Sequence, residues 1–335
     1  MRLGTLLERL LQLIPVLLGV SLIVFMMLAL TPGDPVEIMI GDQNMNAEQE
    51  ALLRSDLGLD RPLPERFLSF LGNAVQGEFG TSFFHRRPVI DVISERLPAT
   101  IELSLVAMII ALATAIPLGV AAAIHKNTII DKIATVGSLF GVSLPGFWFG
   151  ILLLMLFAVQ LRLLPVSGRI GFDSEVPSIT GLLLIDTLVQ GRFAAFWDAL
   201  KHILLPAITL GLPMTAILTR VTRTAMLEVM RQDYVAFAEA KGLSRRRILY
   251  RHALKNALIP TVSVAAIETG SLLGGNMIVE TVFGWPGLGR LVVESIFVRN
   301  YPLVQAAVLL YAVTYVLMNF VADILYTVLN PRVKL

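Results

Sequence analysis

The sequence predicts an all-α polytopic membrane protein, and three observations carry that reading. Of 335 residues, 56% are hydrophobic and 16% charged, with a mean hydropathy of +0.75. That is too apolar for a soluble domain of this length. Six mainly apolar segments (9–31, 99–124, 133–160, 202–226, 256–280 and 302–328) each reach the roughly 20 residues that a bilayer-crossing helix needs. The basic residues also alternate from one connection to the next.

Taken in order, the first run, Leu10 to Leu30, follows Arg2 and Arg9. It is longer than a signal-peptide core and leads into Thr31-Pro32-Gly33-Asp34-Pro35 instead of a small-residue cleavage site, so it reads as a retained span closing an N-terminal unit at 1–31. Residues 32–98 are acid-rich and contain helix-like pieces, one capped by Asn46 and one from Pro88 to Leu97. They read as a structured external subdomain. The remaining spans form a core over 99–335. Pro117 and Pro145 interrupt its first two spans. Pro206 and Pro213 make 202–226 the weakest of the six, although proline is tolerated in membrane helices whose neighbours satisfy the freed carbonyls.

Orientation follows from charge. Arg2 and Arg9, then His125, Lys126 and Lys132, then the connection 227–255, then Arg332 and Lys334 all fall on one side of a six-span chain. The positive-inside rule makes that side cytoplasmic, with both termini there. The other side receives 32–98, a loop at 161–201, and 281–301.

Several chemistries are excluded. Without cysteine there are no disulfides and no thiolate metal sites. His85, His125, His202 and His252 are scattered, with no zinc-type His-Glu-x-x-His spacing, and no metal site is expected. There is no Gly-x-Ser-x-Gly elbow and no G-x-x-x-x-G-K-[ST] phosphate loop.

The connection after the fourth span carries the most information. It is basic, yet Tyr234, Val235, Phe237, Ala238, Leu243, Ile248 and Leu249 lie within it. Asp233 can cap a short helix, Gly242 can end it by adopting the left-handed conformation, and Ser244 can cap a second short helix. Arg245, Arg246 and Arg247 then oppose that second helix's dipole, so local helix stability does not explain them. A topology signal or a surface-lying amphipathic helix would account for the charge. An apolar knob with a cationic rim also suits insertion into a partner's cleft. Elsewhere, Glu268 sits mid-span, where an acid lines an aqueous route or bonds a neighbouring span such as Asn319 or Thr314. Gly270, Gly274 and Gly275 suit close helix packing. Trp285, in Gly284-Trp285-Pro286-Gly287-Leu288-Gly289, reads as an external turn with an interfacial anchor.

Asp233-Tyr234-Val235, Ala240-Lys241-Gly242-Leu243-Ser244, His252-Ala253-Leu254 and Asn256-Ala257-Leu258-Ile259-Pro260 resemble the coupling loop of ATP-binding-cassette importer permeases of the dipeptide, oligopeptide and nickel group. Leu57-Gly58-Leu59-Asp60, Gly77-Glu78-Phe79-Gly80, Leu164-Pro165-Val166-Ser167-Gly168, Gly181 to Thr187 and the Trp285 motif extend the resemblance along the chain, closest to the B-type permeases of dipeptide transporters. The general loop pattern of the family begins Glu-Ala-Ala. Here Ala236-Phe237-Ala238 stands in its place, and Lys255 occupies a position that is usually proline.

The resemblance implies a six-helix type I importer permease in the bacterial inner membrane, enlarged between helices 1 and 2. It implies a second homologous permease, two ATPase subunits, an external solute-binding protein and a peptide substrate. Asp233, Tyr234, Ala238, Ala240, Lys241, Gly242, Leu243, Ser244 and Arg245 would couple to the ATPases, which would hold the ATP and Mg²⁺, so that this chain needs no cofactor. Glu268 becomes a candidate pathway residue, and Arg169, Asp173, Asp186 and Trp197 of the 161–201 loop become candidate receptor contacts. Oligopeptide, nickel, glutathione or haem cargo stays open beside dipeptides. An ion-coupled secondary transporter, for which Glu268 is the main support, is the alternative class.

Overall fold

The computed structural model describes residues 3–30, 36, 46–56, 58–171, 176–274 and 276–329. Among them every regular element is helical, and the lone β-bridge joins Thr81 to Pro88. Helix α1 spans Leu3–Leu30, α2 Ala47–Asp56, α3 Leu63–Val75 and α4 Val89–Ile124. Then come α5 (Ile129–Ser143), α6 (Gly146–Gln160), α7 (Leu183–Val189) and α8 (Phe193–Val229). The chain closes with α9 (Asp233–Ala240), α10 (Arg245–Leu273), α11 (Met277–Val282), α12 (Leu288–Phe297) and α13 (Tyr301–Leu329).

The centre is the pair α4 and α8, which lie against each other along most of their length. Small residues allow it. A Cβ on Gly119 would stand 2.7 Å from the Thr222 Cβ and 2.8 Å from the Thr219 carbonyl, and one on Gly211 would stand 3.0 Å from the Ala107 carbonyl. Ala99, Leu103, Ala107 and Ala111 of α4 interleave with Ile203, Ala207, Leu210 and Met214 of α8 in the main core. This overturns the expectation that 202–226 is the weakest span. Pro206 and Pro213 sit inside an unbroken α8, where burial against α4 supplies the packing that compensates for the lost backbone bonds.

Three other expectations change. The span expected at 133–160 is two helices, α5 and α6, meeting at 103°. Pro145 forces this, because the residue before a proline is driven out of the helical region and Leu144 is extended at φ −79°, ψ 130°. The fifth span was expected at 256–280, but α10 begins at Arg245 and stops at Leu273. The basic segment therefore enters the span without a break. The piece expected from Pro88 to Leu97 is the first part of α4, so the boundary expected at 98/99 lies inside a helix.

Outside the core, Asn46 caps α2 reciprocally: its Oδ1 accepts from the Gln49 N–H at 2.9 Å, and its own N–H donates to the Gln49 Oε1 at 3.1 Å. Phe25 of α1 meets Phe67 of α3 with ring centroids 5.4 Å apart. Gly270 lets α10 approach Met318 of α13, where a Cβ would lie 2.8 Å from the Met318 Cβ. Gly275 lies outside the described residues.

Gly119→Ala should destabilise the protein by about 1–3 kcal/mol through overpacking, read as a lower thermal midpoint in detergent. Gly137→Ala, whose new Cβ meets nothing within 4 Å, should hold or slightly raise the midpoint.

Candidate functional site: the α9 elbow and its supports

The turn 230–232 leads from α8 into α9, whose C-terminal end is a complete Schellman motif. Gly242, at φ +74°, donates its N–H to the Glu239 carbonyl at 2.9 Å, and Leu243 donates to the Ala238 carbonyl at 3.3 Å. This is the bond pair that a left-handed residue one position past the cap creates. Ser244 then stands at the N-cap position of α10, although its side chain makes no capping bond. At the start of α9 the expected cap moves by one residue. Gln232 occupies the cap position, and Asp233 is the first helical residue, where its charge still favours the helix dipole.

The expected apolar knob divides in two. Val235, Ala238 and Ile248 are buried together with Leu243 packed on them, a miniature core that fixes the angle between α9 and α10. Leu249 joins Val120, Ala123, Ala225, Met226, Ala253 and Ala257 in a second cluster that seats the elbow on α4 and α8. Ala238 therefore supports the elbow from within and offers no outer contact. Tyr234, Phe237 and Tyr250 remain on the surface. The Lys241 ammonium lies 4.5 Å from the Phe237 ring centroid, and the Asn256 Nδ2 donates to the Tyr234 Oη at 2.8 Å. Asp233, Ala240, Gly242, Arg245, Arg246 and Arg247 are exposed. Among the described residues, the three arginines form no ion pair.

An ion pair that the sequence did not advertise braces this end. Arg223 of α8 donates from Nη2 to the Asp131 Oδ2 at 2.8 Å, while its Nε meets Oδ1 at 2.5 Å. The Asn127 N–H also donates to Asp131, from a left-handed backbone at φ +65°. The available signal was an acid in the first turn of an otherwise apolar helix, since a buried carboxylate requires a partner.

Glu268 lies on α10 inside the membrane-spanning part, half-buried. Among the described residues it makes no hydrogen bond or ion pair, so the bond to Asn319 or Thr314 considered from sequence is not formed.

At the opposite end, two of the four loop residues expected as receptor contacts, Arg169 and Asp186, bond within the protein. Arg169 donates to the Glu102 Oε2 from Nε (3.0 Å) and Nη2 (2.6 Å), donates to the Gly181 carbonyl at 2.7 Å, and lies over the Trp285 ring. Asp186 is 2% exposed and accepts from the N–H groups of Ile179, Thr180 and Gly181 and from the Thr180 hydroxyl. Arg169 is drawn inward by Glu102 of α4, and Asp186 is drawn inward by the donors of the 179–181 turn. Asp173 lies outside the described residues. Trp197 is exposed.

Trp285 is likewise corrected. It is buried, and its Nε1 donates to the Ala99 carbonyl at 2.9 Å, so it is a core residue and not an interfacial anchor. Beside it lies Glu280, fully buried and overlooked in the sequence. Its carboxylate accepts from the Thr100 hydroxyl at 2.8 Å and the Arg290 N–H at 2.9 Å. It thus sits at the N-terminus of α12, where the dipole favours negative charge. A Cβ on Gly287 would come within 2.5 Å of this carboxylate, which explains the glycine.

Comparison with known proteins follows the same lines. Residues 115–335 match the family described as "Binding-protein-dependent transport system inner membrane component", and residues 2–104 match its N-terminal counterpart. This chain belongs to that family. The permease is 44% identical over 327 residues to the di/tripeptide transport system permease DppB of Pseudomonas aeruginosa (strain UCBPP-PA14), covering 98% of this chain and 97% of the relative. It is 43% identical over 331 residues to the dipeptide transport system permease DppB of Escherichia coli (strain K12), covering 98% of each. It is 38% identical over 328 residues to the glutathione transport system permease GsiC of Salmonella choleraesuis (strain SC-B67), again covering 98% of each. A solved structure of the MetNI methionine ABC transporter in inward-facing conformations matches with a TM-score of 0.51 at 16% identity, over 72% of this permease and 97% of that chain. The fold is therefore the type I ABC importer fold, in a multi-pass membrane permease. Membership of the family implies ATPase and binding-protein partners.

For Asp186, burial pushes the carboxyl upward, but the Thr180 hydroxyl and the backbone N–H groups of Thr180, Ile179 and Gly181 outweigh it and hold the group below its ordinary value. A depressed acid contributes stability that is present above its unfolded pKa of about 3.9 and is lost as pH falls through the folded value. Asp186→Asn should therefore lower the unfolding midpoint at pH 7. Its deficit should shrink as the pH falls from about 4 through the depressed folded value, as followed by thermal unfolding across a pH series.

Proposed function

We propose that this permease imports dipeptides or other short peptides as one half of a translocation pathway. It works with a second, homologous permease, two ATPase subunits and a solute-binding protein outside the membrane. The observation that carries the reading is the α9 elbow: a short helix closed by Gly242, packed on its inner face, presenting Tyr234 and Phe237 beside arginines that form no ion pair among the described residues. In water such a face has no internal reason to exist, and it suits an apolar cleft with an acidic rim. The names of the dipeptide permeases at 44% and 43% identity support the cargo. The glutathione permease at 38% keeps that peptide-like cargo as the second reading.

ATP and Mg²⁺ are held by the ATPase subunits, because the sequence has no phosphate loop. When they close on ATP they move α9. The miniature core passes that motion to α10, which is continuous with the elbow, while the cluster around Met226 passes it to α4 and α8. Lysine and arginine bias places the elbow and both termini on the cytoplasmic side. Glu268, without a hydrogen bond or ion pair among the described residues, lies on the moving helix, faces the route between the two permeases and there meets the ammonium group of a peptide.

Phe237→Ala leaves the elbow core untouched and should reduce ATPase co-purification, while Gly242→Val strains the left-handed backbone by about 1–2 kcal/mol and should uncouple hydrolysis from uptake. Both are read as ATP hydrolysed per peptide imported in proteoliposomes, and unchanged ratios with full assembly would refute the docking role. Glu268→Gln should slow uptake of peptides with a free amino terminus more than that of N-acetylated ones. Equal rates for both classes would remove Glu268 from the route.

A further inference from the structure

Helix α10 is held on two sides and open on a third. Toward α4 and α8, Thr261 shares a hydrogen bond of 3.0 Å with Thr222, the Leu272 carbonyl accepts from the Ser104 hydroxyl at 3.1 Å, and Ala265 joins the main core. Toward α13, Gly270 closes on Met318. Between these contacts, Val264, Ile267, Glu268 and Ser271 recur at i, i+3, i+4 and i+7 and so share one face. Ile267 is 43% exposed, Ser271 is exposed, and Val264 and Glu268 are half-buried.

Glu268 indicates what covers that face. A carboxylate on a spanning helix is costly beside lipid and faces the bundle interior or a water-filled cavity. Glu268 has no partner among the described residues, so its face needs a polar medium or a polar guest. Ser271 adds a second group of the same kind. The hydroxyls of Ser263 and Thr269 return to their own helix, at the Ile259 carbonyl (3.1 Å) and the Ala265 carbonyl (2.7 Å), a common arrangement for a hydroxyl within a helix. The Ser271 hydroxyl forms no hydrogen bond among the described residues and is left for a ligand. Residues three apart on a helix have Cβ atoms about 5–6 Å from each other. Across that gap a glutamate and a serine side chain can close on two groups about 3 Å apart. Standard bond lengths put the amino nitrogen and the first carbonyl oxygen of a peptide at about that separation.

Resting on the peptide-import reading, we propose that Ser271 is a specificity-determining residue that reads the first peptide bond. Its hydroxyl donates to the first carbonyl oxygen while the Glu268 carboxylate accepts from the neighbouring ammonium group. The ligand class is a peptide with a free amino terminus and an α-linked first bond. Ile267 offers the first side chain an apolar wall without polar demands, so the strip selects for backbone and tolerates varied side chains. An amine that lacks the carbonyl leaves the hydroxyl unpaired, and a site built to hydrogen-bond a group disfavours an analogue without it.

The test crosses a permease variant with a peptide variant. The full importer, assembled with its partner subunits and binding protein, is placed in proteoliposomes, and initial uptake is measured with loaded binding protein at saturation. The peptides are dialanine and its trans-alkene isostere, which keeps the ammonium, the carboxylate and the shape but has no carbonyl oxygen. Ser271→Ala should slow dialanine about two- to tenfold, the range for one lost hydrogen bond, and leave the rate of the isostere unchanged. Ser271→Thr, which keeps a hydroxyl, should import dialanine faster than Ser271→Ala does. Equal slowing of both compounds, or of neither, would overturn the assignment. A second readout needs no isostere. The chain has no cysteine, so Ser271→Cys can be probed in nanodiscs with a charged methanethiosulfonate, which reacts from water. The thiol should react, and dialanine-loaded binding protein with ATP should slow the reaction. A thiol that resists the reagent, or that dialanine does not protect, would also overturn it. Failure of the unaltered importer to take up any peptide would instead refute the peptide-import reading.

Discussion

The close contact of α4 with α8 is the constraint on which the rest of the permease depends. It exists because Gly119 and Gly211 remove the side chains that would hold the helices apart, leaving Thr222 and the Ala107 carbonyl in direct approach. In lipid there is little hydrophobic drive to bring helices together, so packing distance carries the stability. Two prolines can then sit in the middle of α8 without breaking it.

That pair organises both ends of the molecule. At one end, Val120 and Ala123 of α4 and Ala225 and Met226 of α8 form the seat for the elbow, and Arg223 reaches across to Asp131 to bring in α5. At the other end, Thr100 and Glu102 of α4 hold Glu280 and Arg169. Each end thus has a buried carboxylate matched to specific donors, as burial in a low-dielectric interior demands. These polar sites make each end geometrically specific, while the apolar middle is defined by close approach.

The elbow divides its labour in the same way. Val235, Ala238 and Ile248 face inward and set its shape, while Tyr234, Phe237 and the arginines face outward. The permease can present an unusual surface there because its inner face already satisfies the packing. The Schellman bonds at Gly242 let the chain reverse direction with no extra residues, so α10 starts at the elbow itself.

Much of this was legible in the amino-acid sequence, because some signals are local. Apolar runs of bilayer length specify helices, and a glycine after a short helix specifies a left-handed stop. Family membership was legible too, since the motifs around Gly242 and Trp285 are short and contiguous. What only the tertiary structure decided is where side chains point. Arg169 and Asp186 look like surface charges until α4 and the α7 turn enclose them, and Trp285 looks like an interfacial aromatic until Ala99 accepts its proton. Pro145 bends its span while Pro206 and Pro213 do not, because α8 has α4 packed along it and Leu144 lies at an extended corner. Burial and partner choice arise from residues far apart in the chain, such as Thr100 with Glu280 or Asp131 with Arg223, and no local pattern encodes those pairs.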